Sequence, residues 1–181
     1  ARASEPKKQV MRAGHTVIRL ADARRLVQMG SLQKLRLPKL ERAVVPMLAE
    51  LGKLKELDLE LGAPGEIEPL AQLANLERVT LRGAGVHDAR ILARCPQLTE
   101  LNLHNCSIED ASLIPFVLSL RSITLEYLPL PTIEAITDCV QLQKLRMAGL
   151  KLPIVEWVTR LSHLRDLSIV YPEGEVRLPF A

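Results

Sequence analysis

His104 is the residue of this chain best placed to move a proton. Arg82 stands 22 positions before it and Glu126 22 positions after it. A histidine beside a carboxylate can act as a general base, provided something brings residues 22 apart into contact and offers the imidazole a nucleophile. No Ser or Cys shares that position. Cys106, two residues on, belongs to a column expected to be buried. A surface hydrogen bond is the expected role, and no catalytic residue is assigned. His15, His87 and His163 fall at unrelated places in the interval and make no metal set. No G-x-x-x-x-G-K-[ST] phosphate loop occurs, and Gly83-Ala84-Gly85 reads as a turn. No cofactor is expected.

The same interval organises the other polar candidates. Three positions in each 22 are charged or polar between apolar neighbours: Lys34, Arg36, Pro38; Glu56, Asp58, Glu60; Arg78, Thr80, Arg82; and Glu100, Asn102, His104. They continue as Ser122, Thr124, Glu126; Lys144, Arg146, Ala148; and Asp166, Ser168, Val170, and Arg12, Gly14, Thr16 precede them. The sign alternates from one set to the next. Two readings follow: opposite charges that neutralise one another across the surface, or a ruler of polar contacts that a protein partner must match. The partner-binding candidates are Arg36, Asp58, Glu60, Arg78, Arg82, Asn102, His104, Glu126 and Arg146, with Tyr127 and Tyr171 as aromatic anchors.

What must position them is a repeat. Leu32, Leu54, Leu76, Leu98, Leu120, Leu142 and Leu164 are spaced by 22. In step run Leu35, Leu57, Val79, Leu101, Ile123, Leu145 and Leu167, then Leu37, Leu59, Leu81, Leu103, Leu125, Met147 and Ile169. L-x-x-L-x-L alternates with period two, so each unit predicts a short strand with its leucines inward. Later columns at spacing three, such as Ile67, Leu70 and Leu73, predict one or two turns of α- or 3₁₀-helix. Asp22, Glu66, Asp88, Asp110 and Thr132 stand where they can serve a helix start, and Gly30 and Gly52 where they can end one. The outer column Met47, Pro69, Ile91, Leu113, Ala135 and Trp157 either packs between adjacent helices or forms an exposed seam.

A unit of strand, turn and short helix cannot bury its apolar side alone. Stacked, it buries about eight side chains at roughly 1.5–3 kcal/mol each. In Leu98–Ile108 the unit reads L-x-x-L-x-L-x-x-C-x-I and resembles the leucine-rich repeat, in its short 22-residue class. The resemblance implies an α/β fold: a right-handed solenoid or horseshoe with a parallel concave β-sheet and short helices or 3₁₀ turns on the convex side. One column departs from it. Where the family carries Asn or Cys, this chain has Ile18, Leu40, Gly62, Ala84, Cys106, Leu128, Leu150 and Pro172. Without an Asn ladder, the backbone after each strand needs other partners, such as water.

Residues 1–9 read as a basic lead-in, and 10–171 as about seven units plus a partial eighth strand. The first unit is degenerate, with Val10, Ala13 and His15 in its strand columns, as a capping repeat would be. In residues 172–181, Val176, Leu178 and Phe180 either fold with Tyr171 over the last layer as a lid or mark a truncated end. The chain has 24 basic and 21 acidic residues, a net charge of +3, which disfavours nucleic acid as the main ligand. No apolar run reaches the roughly 18 residues of a membrane helix, and no membrane insertion is expected. Three cysteines suit a reducing compartment. Cys95 and Cys139, two layers apart, would stand about 10 Å from each other, too far to bridge.

These features point to a non-enzymatic, intracellular scaffold binding a protein partner through the concave face. The compartment would be cytoplasmic or nuclear, with an organelle also open. The alternative is a structural subunit of a larger ribonucleoprotein or organellar complex, held through the open ends and the basic N-terminus. A hydrolase using His104 is the least supported reading.

Overall fold

The computed structural model describes residues 10–12, 20–37, 42–61, 67–83, 85–108, 119–130, 134–150, 156–171 and 174–178. Among them the alternating stretches form strands β1 (Val10–Arg12), β2 (Lys34–Leu37), β3 (Glu56–Glu60), β4 (Arg78–Arg82) and β5 (Glu100–His104). Strands β6 (Ser122–Glu126), β7 (Lys144–Ala148), β8 (Asp166–Tyr171) and β9 (Gly174–Leu178) follow. All nine lie in one sheet in chain order, β1 to β8 parallel. From β2 to β8 each residue pairs with the one 22 further on, as Leu35 with Leu57 and Leu57 with Val79. The inward columns are sealed: Leu59, Leu81, Leu103 and Leu125 are all 0% exposed.

The spacing of three becomes 3₁₀-helix at Glu68–Gln72, Arg90–Arg94, Glu134–Asp138 and Glu156–Arg160. Its backbone bonds fall on the buried residues themselves: the Leu70 N–H donates to Ile67 (2.9 Å), Leu73 to Leu70 (3.0 Å) and Leu76 to Leu73 (3.0 Å). Three residues per turn keep every third side chain on one line, which here is the core line. Two earlier coils use α-helix, α1 (Leu20–Val27) and the short α2 (Val45–Leu48), the latter after a 3₁₀ turn at Arg42–Val44.

The first coil corrects the expected register. Met11, not Ala13, pairs with Leu35, and Arg12 takes the place expected of Gly14 beside Arg36. The step from Met11 to Leu35 is therefore longer than 22. An α-helix advances about 1.5 Å per residue against about 2.0 Å for 3₁₀, so eight-residue α1 takes more chain to cover a similar span. Gly30 and Gly52 do not cap helices. Both lie beyond the helix ends and neither adopts the left-handed backbone that such a cap uses. Asp88 does act at a helix start, accepting the Arg90 N–H at 2.8 Å. Asp22 lies inside the first turn of α1, and Glu66, Asp110 and Thr132 lie outside the described residues.

The missing Asn ladder is compensated by backbone. Just after the strands, Leu61, Gly83, Asn105, Tyr127 and Gly149 donate to carbonyls of the next coil at 2.8–3.1 Å. Cys106 supplies one further bond, its thiol donating to the Leu81 carbonyl at 3.4 Å. Buried residues from Leu26 to Ile169 make one continuous core, with Cys95, Cys106 and Cys139 inside it as free thiols. Met29 packs against it half-buried, and so do Ile91 and Trp157, so this part of the outer column (Ile91 and Trp157) packs onto the core.

At the far end, β9 runs antiparallel to β8, with Val176 opposite Ile169. The 22-residue period carries no signal for such a strand, because an antiparallel return needs only a tight turn rather than a whole coil.

Candidate functional site

Alternation turns one side chain in two away from the core, and parallel register lines these up across the sheet. The face that results is a ladder of ion pairs. Glu56 is held by Lys34 (2.5 Å) from one side and Arg78 from the other. Asp58 is held by Arg36 (3.1 Å) and Arg82. Glu126 takes His104 Nδ1 at 2.9 Å and Arg146 Nε at 3.1 Å, and Arg146 also donates to Ser168 at 3.3 Å. Lys144 and Asp166 pair at 3.0 Å with more than half of each side chain exposed. Asn102 donates to Thr80 (3.3 Å) and Glu100 (3.0 Å).

The candidates therefore fall into two groups. Arg36, Asp58 and Arg82 meet on β2–β4, with Arg78 beside them on Glu56; His104, Glu126 and Arg146 meet on β5–β7. Asn102 links β4 to β5. Glu60 stands beside Arg82, but among the described residues no cation comes within ion-pairing distance of it, since Arg82 turns to Asp58. Between β2 and β5 the face is hollowed by a groove of about 390 Å³, lined by Lys34, Arg36, Glu56, Asp58, Thr80 and Asn102 among others.

Charge follows geometry. Hydrogen bonding to Asp58 raises the Arg82 pKa above its ordinary value. Partial burial pushes the Glu126 carboxyl up, but hydrogen bonds from Arg146 and His104 more than offset this and leave it below the ordinary carboxylate range. The imidazole of His104 thus meets a carboxylate on an open sheet face. The nearest thiol, Cys106, is buried, and that burial pushes its pKa to about 11. The arrangement can bind and orient polar groups; among the described residues it offers no activated nucleophile beside His104.

Tyr127 sits at the rim, just past β6, with 61% of its surface exposed. Its backbone is left-handed, with φ 56°. Gly149, one coil on, lies beneath the ring, where a Cβ would collide with the ring carbons. Tyr171 ends β8, and its side chain lies outside the described residues. Sequence reasoning passed over Arg121 and Arg165, each immediately before a strand, both exposed and without an ion pair among the described residues. The column Gln33, Lys55, Glu77, Thr99, Arg121, Gln143, Arg165 at the same interval carried the signal.

Parallel coils of this kind define a leucine-rich-repeat solenoid, the sheet forming its concave side and the short helices its convex side. Solved structures with that architecture are similar to this chain. They include an internalin C2 of Listeria monocytogenes (TM-score 0.59, 19% identity, covering 80% of this chain and 64% of that one). A leucine-rich-repeat protein of Leptospira interrogans is alike at TM-score 0.59 and 21% identity, covering 81% of this chain and 41% of that one. A plant peptide hormone receptor, solved in complex with RGF2, is alike at TM-score 0.53 and 17% identity, covering 80% and 30%. At these identities the likeness is one of fold, and the chain spans less than two thirds of each of these proteins. No protein-family model matches the chain, and no curated protein matches it by sequence. Among the described residues no helix is long and apolar enough to cross a membrane.

Proposed function

We propose that this chain is a non-enzymatic interaction module that holds a protein partner on the concave face of the solenoid. One observation carries the reading: a continuous polar sheet face, open to solvent, on which every rung presents different side chains in fixed register. A partner laid across it meets charges at set spacings, which favours specificity and orientation over bulk affinity. The Lys and Arg side chains of its ion pairs are one-third exposed or more while the carboxylates Glu56, Asp58 and Glu126 are mostly buried, and pairs that solvent reaches from the cation side contribute about 0–1 kcal/mol each to folding. Their geometry is therefore available to a partner without large loss of stability.

Affinity capture from the native source, with the captured proteins identified by mass, tests this. Arg78→Ala or Arg146→Ala should reduce capture of a specific protein about tenfold while shifting the melting temperature little. Arg94→Ala, at the end of a convex 3₁₀ turn, should leave capture unchanged. Equal capture by all of these variants would refute the concave-face assignment.

A further inference from the structure

The two halves of the sheet face differ in charge. On β2–β5, counting the residue before each strand, five cations alternate with five carboxylates. On β6–β8, counted the same way, Arg121, Lys144, Arg146 and Arg165 stand against only Glu126 and Asp166. Three of those cations gather where the strands begin. Arg121 and Arg165 occupy the same column two coils apart, about 10 Å at roughly 4.8 Å per strand, with Lys144 on the coil between. The one carboxylate among them, Asp166, pairs with Lys144 in a contact more than half exposed on both sides, which solvent weakens.

At the other end of the same strands the face turns apolar. Glu126 is followed in its column by Ala148 and Val170, Ala148 buried and Val170 half-buried, and the Tyr127 ring lies over Gly149 at the rim. Tyr127 is out of place as a structural residue. In the same column Gly83 and Gly149 adopt positive φ at no steric cost and Asn105 at little. A tyrosine there costs about 1–2 kcal/mol, and a ring left 61% exposed recovers little of that by burial. The ring packs on Gly149 with only one part of its surface, and backbone strain held for so exposed a ring points to a role at a surface.

Resting on the concave-face reading above, we propose that the β6–β8 end of the face takes an extended peptide of mixed chemistry. Its acidic residues sit among Arg121, Lys144 and Arg165, and an aromatic or aliphatic side chain sits against Tyr127 and Val170. Six residues separate Arg121 from Tyr127, about 20 Å at roughly 3.3 Å each, so the acidic and apolar groups of the peptide lie about six positions apart. A surplus of only two cations beside an aromatic platform favours such a peptide over a polyanion.

The test uses the whole chain and labelled decapeptides on a Gly/Ser background, read by fluorescence polarisation. Each peptide carries two Glu at one end and Leu or Phe six positions away, in either order; controls carry Lys in place of Glu. The acidic peptides should bind at least tenfold more tightly than the Lys controls. Arg121→Glu with Arg165→Glu should abolish the preference. Tyr127→Gly should weaken binding about tenfold without lowering the melting temperature, and Tyr127→Asn, which also tolerates left-handed backbone, should do the same. Arg94→Ala, on the convex side, should change binding less than twofold. Equal binding of acidic and Lys peptides, or no binding of either, overturns the proposal. So does a tighter, steeply salt-dependent interaction with a single-stranded oligonucleotide. If protein capture depends on Arg78 but not on Arg121, Arg165 or Tyr127, this inference falls and the broader concave-face reading stands. If capture depends on neither half, both fall.

Discussion

Glu126 shows how much one side chain of the ladder depends on its neighbours. Its carboxyl is held below its ordinary pKa because hydrogen bonds from Arg146 and His104 outweigh the opposing effect of burial. A carboxylate whose folded pKa is depressed stabilises the fold above its unfolded pKa, about 4.3. That contribution disappears as pH falls through the folded pKa. Chemical denaturation measured between pH 6 and pH 3 should therefore show a shallower acid loss in Glu126→Gln than in the wild type. Parallel acid limbs would mean the Arg146 and His104 bonds do not persist in solution. His104 and Glu126 were readable as neighbours from the interval of 22 alone. That Asp58 draws Arg82 away from Glu60 was not readable, because it depends on side-chain rotamers rather than register.

At the scale of the element, the turn after each strand decides how closely coils stack. Gly83 has φ 94°, and a Cβ there would run into the Leu61 carbonyl oxygen of the preceding coil. Gly83→Ala combines left-handed strain with a backbone clash and should cost more than the roughly 1 kcal/mol of a strained turn alone. Gly52 meets nothing within 4 Å, so Gly52→Ala should be close to neutral or slightly stabilising. Urea midpoints of the two variants check the contrast, and similar losses in both would refute it. The period alone marked Gly83 as a turn residue and wrongly marked Gly52 as a helix cap. Both are glycines near an element end; only the backbone angle separates them.

The whole molecule is a one-dimensional stack, yet its core runs unbroken from Leu26 to Ile169. Stacked repeats are stabilised through their interfaces with neighbours, and an uninterrupted core predicts that the coils open together. Cys95, Cys106 and Cys139 report on this. Burial raises the pKa of each to about 11, so none should react with an alkylating reagent at pH 8 in the folded protein. With increasing denaturant all three should become reactive at one midpoint, read by mass spectrometry of the labelled peptides. Separate midpoints would show the array opening in pieces.

The amino-acid sequence by itself determined the strands β2 to β8, their register and the inward columns, because a repeat that cannot bury its own apolar side has to stack on its neighbours in step. Composition and periodicity also determined which side chains face outward. Only the tertiary structure decided the two-residue shift of the first coil, the antiparallel return of β9 and the choice of partner within each ion-pair cluster. It also placed Tyr127 over Gly149 at the rim. These depend on helix type, turn length and rotamer, which are set by contacts between coils and leave no trace in the spacing of leucines.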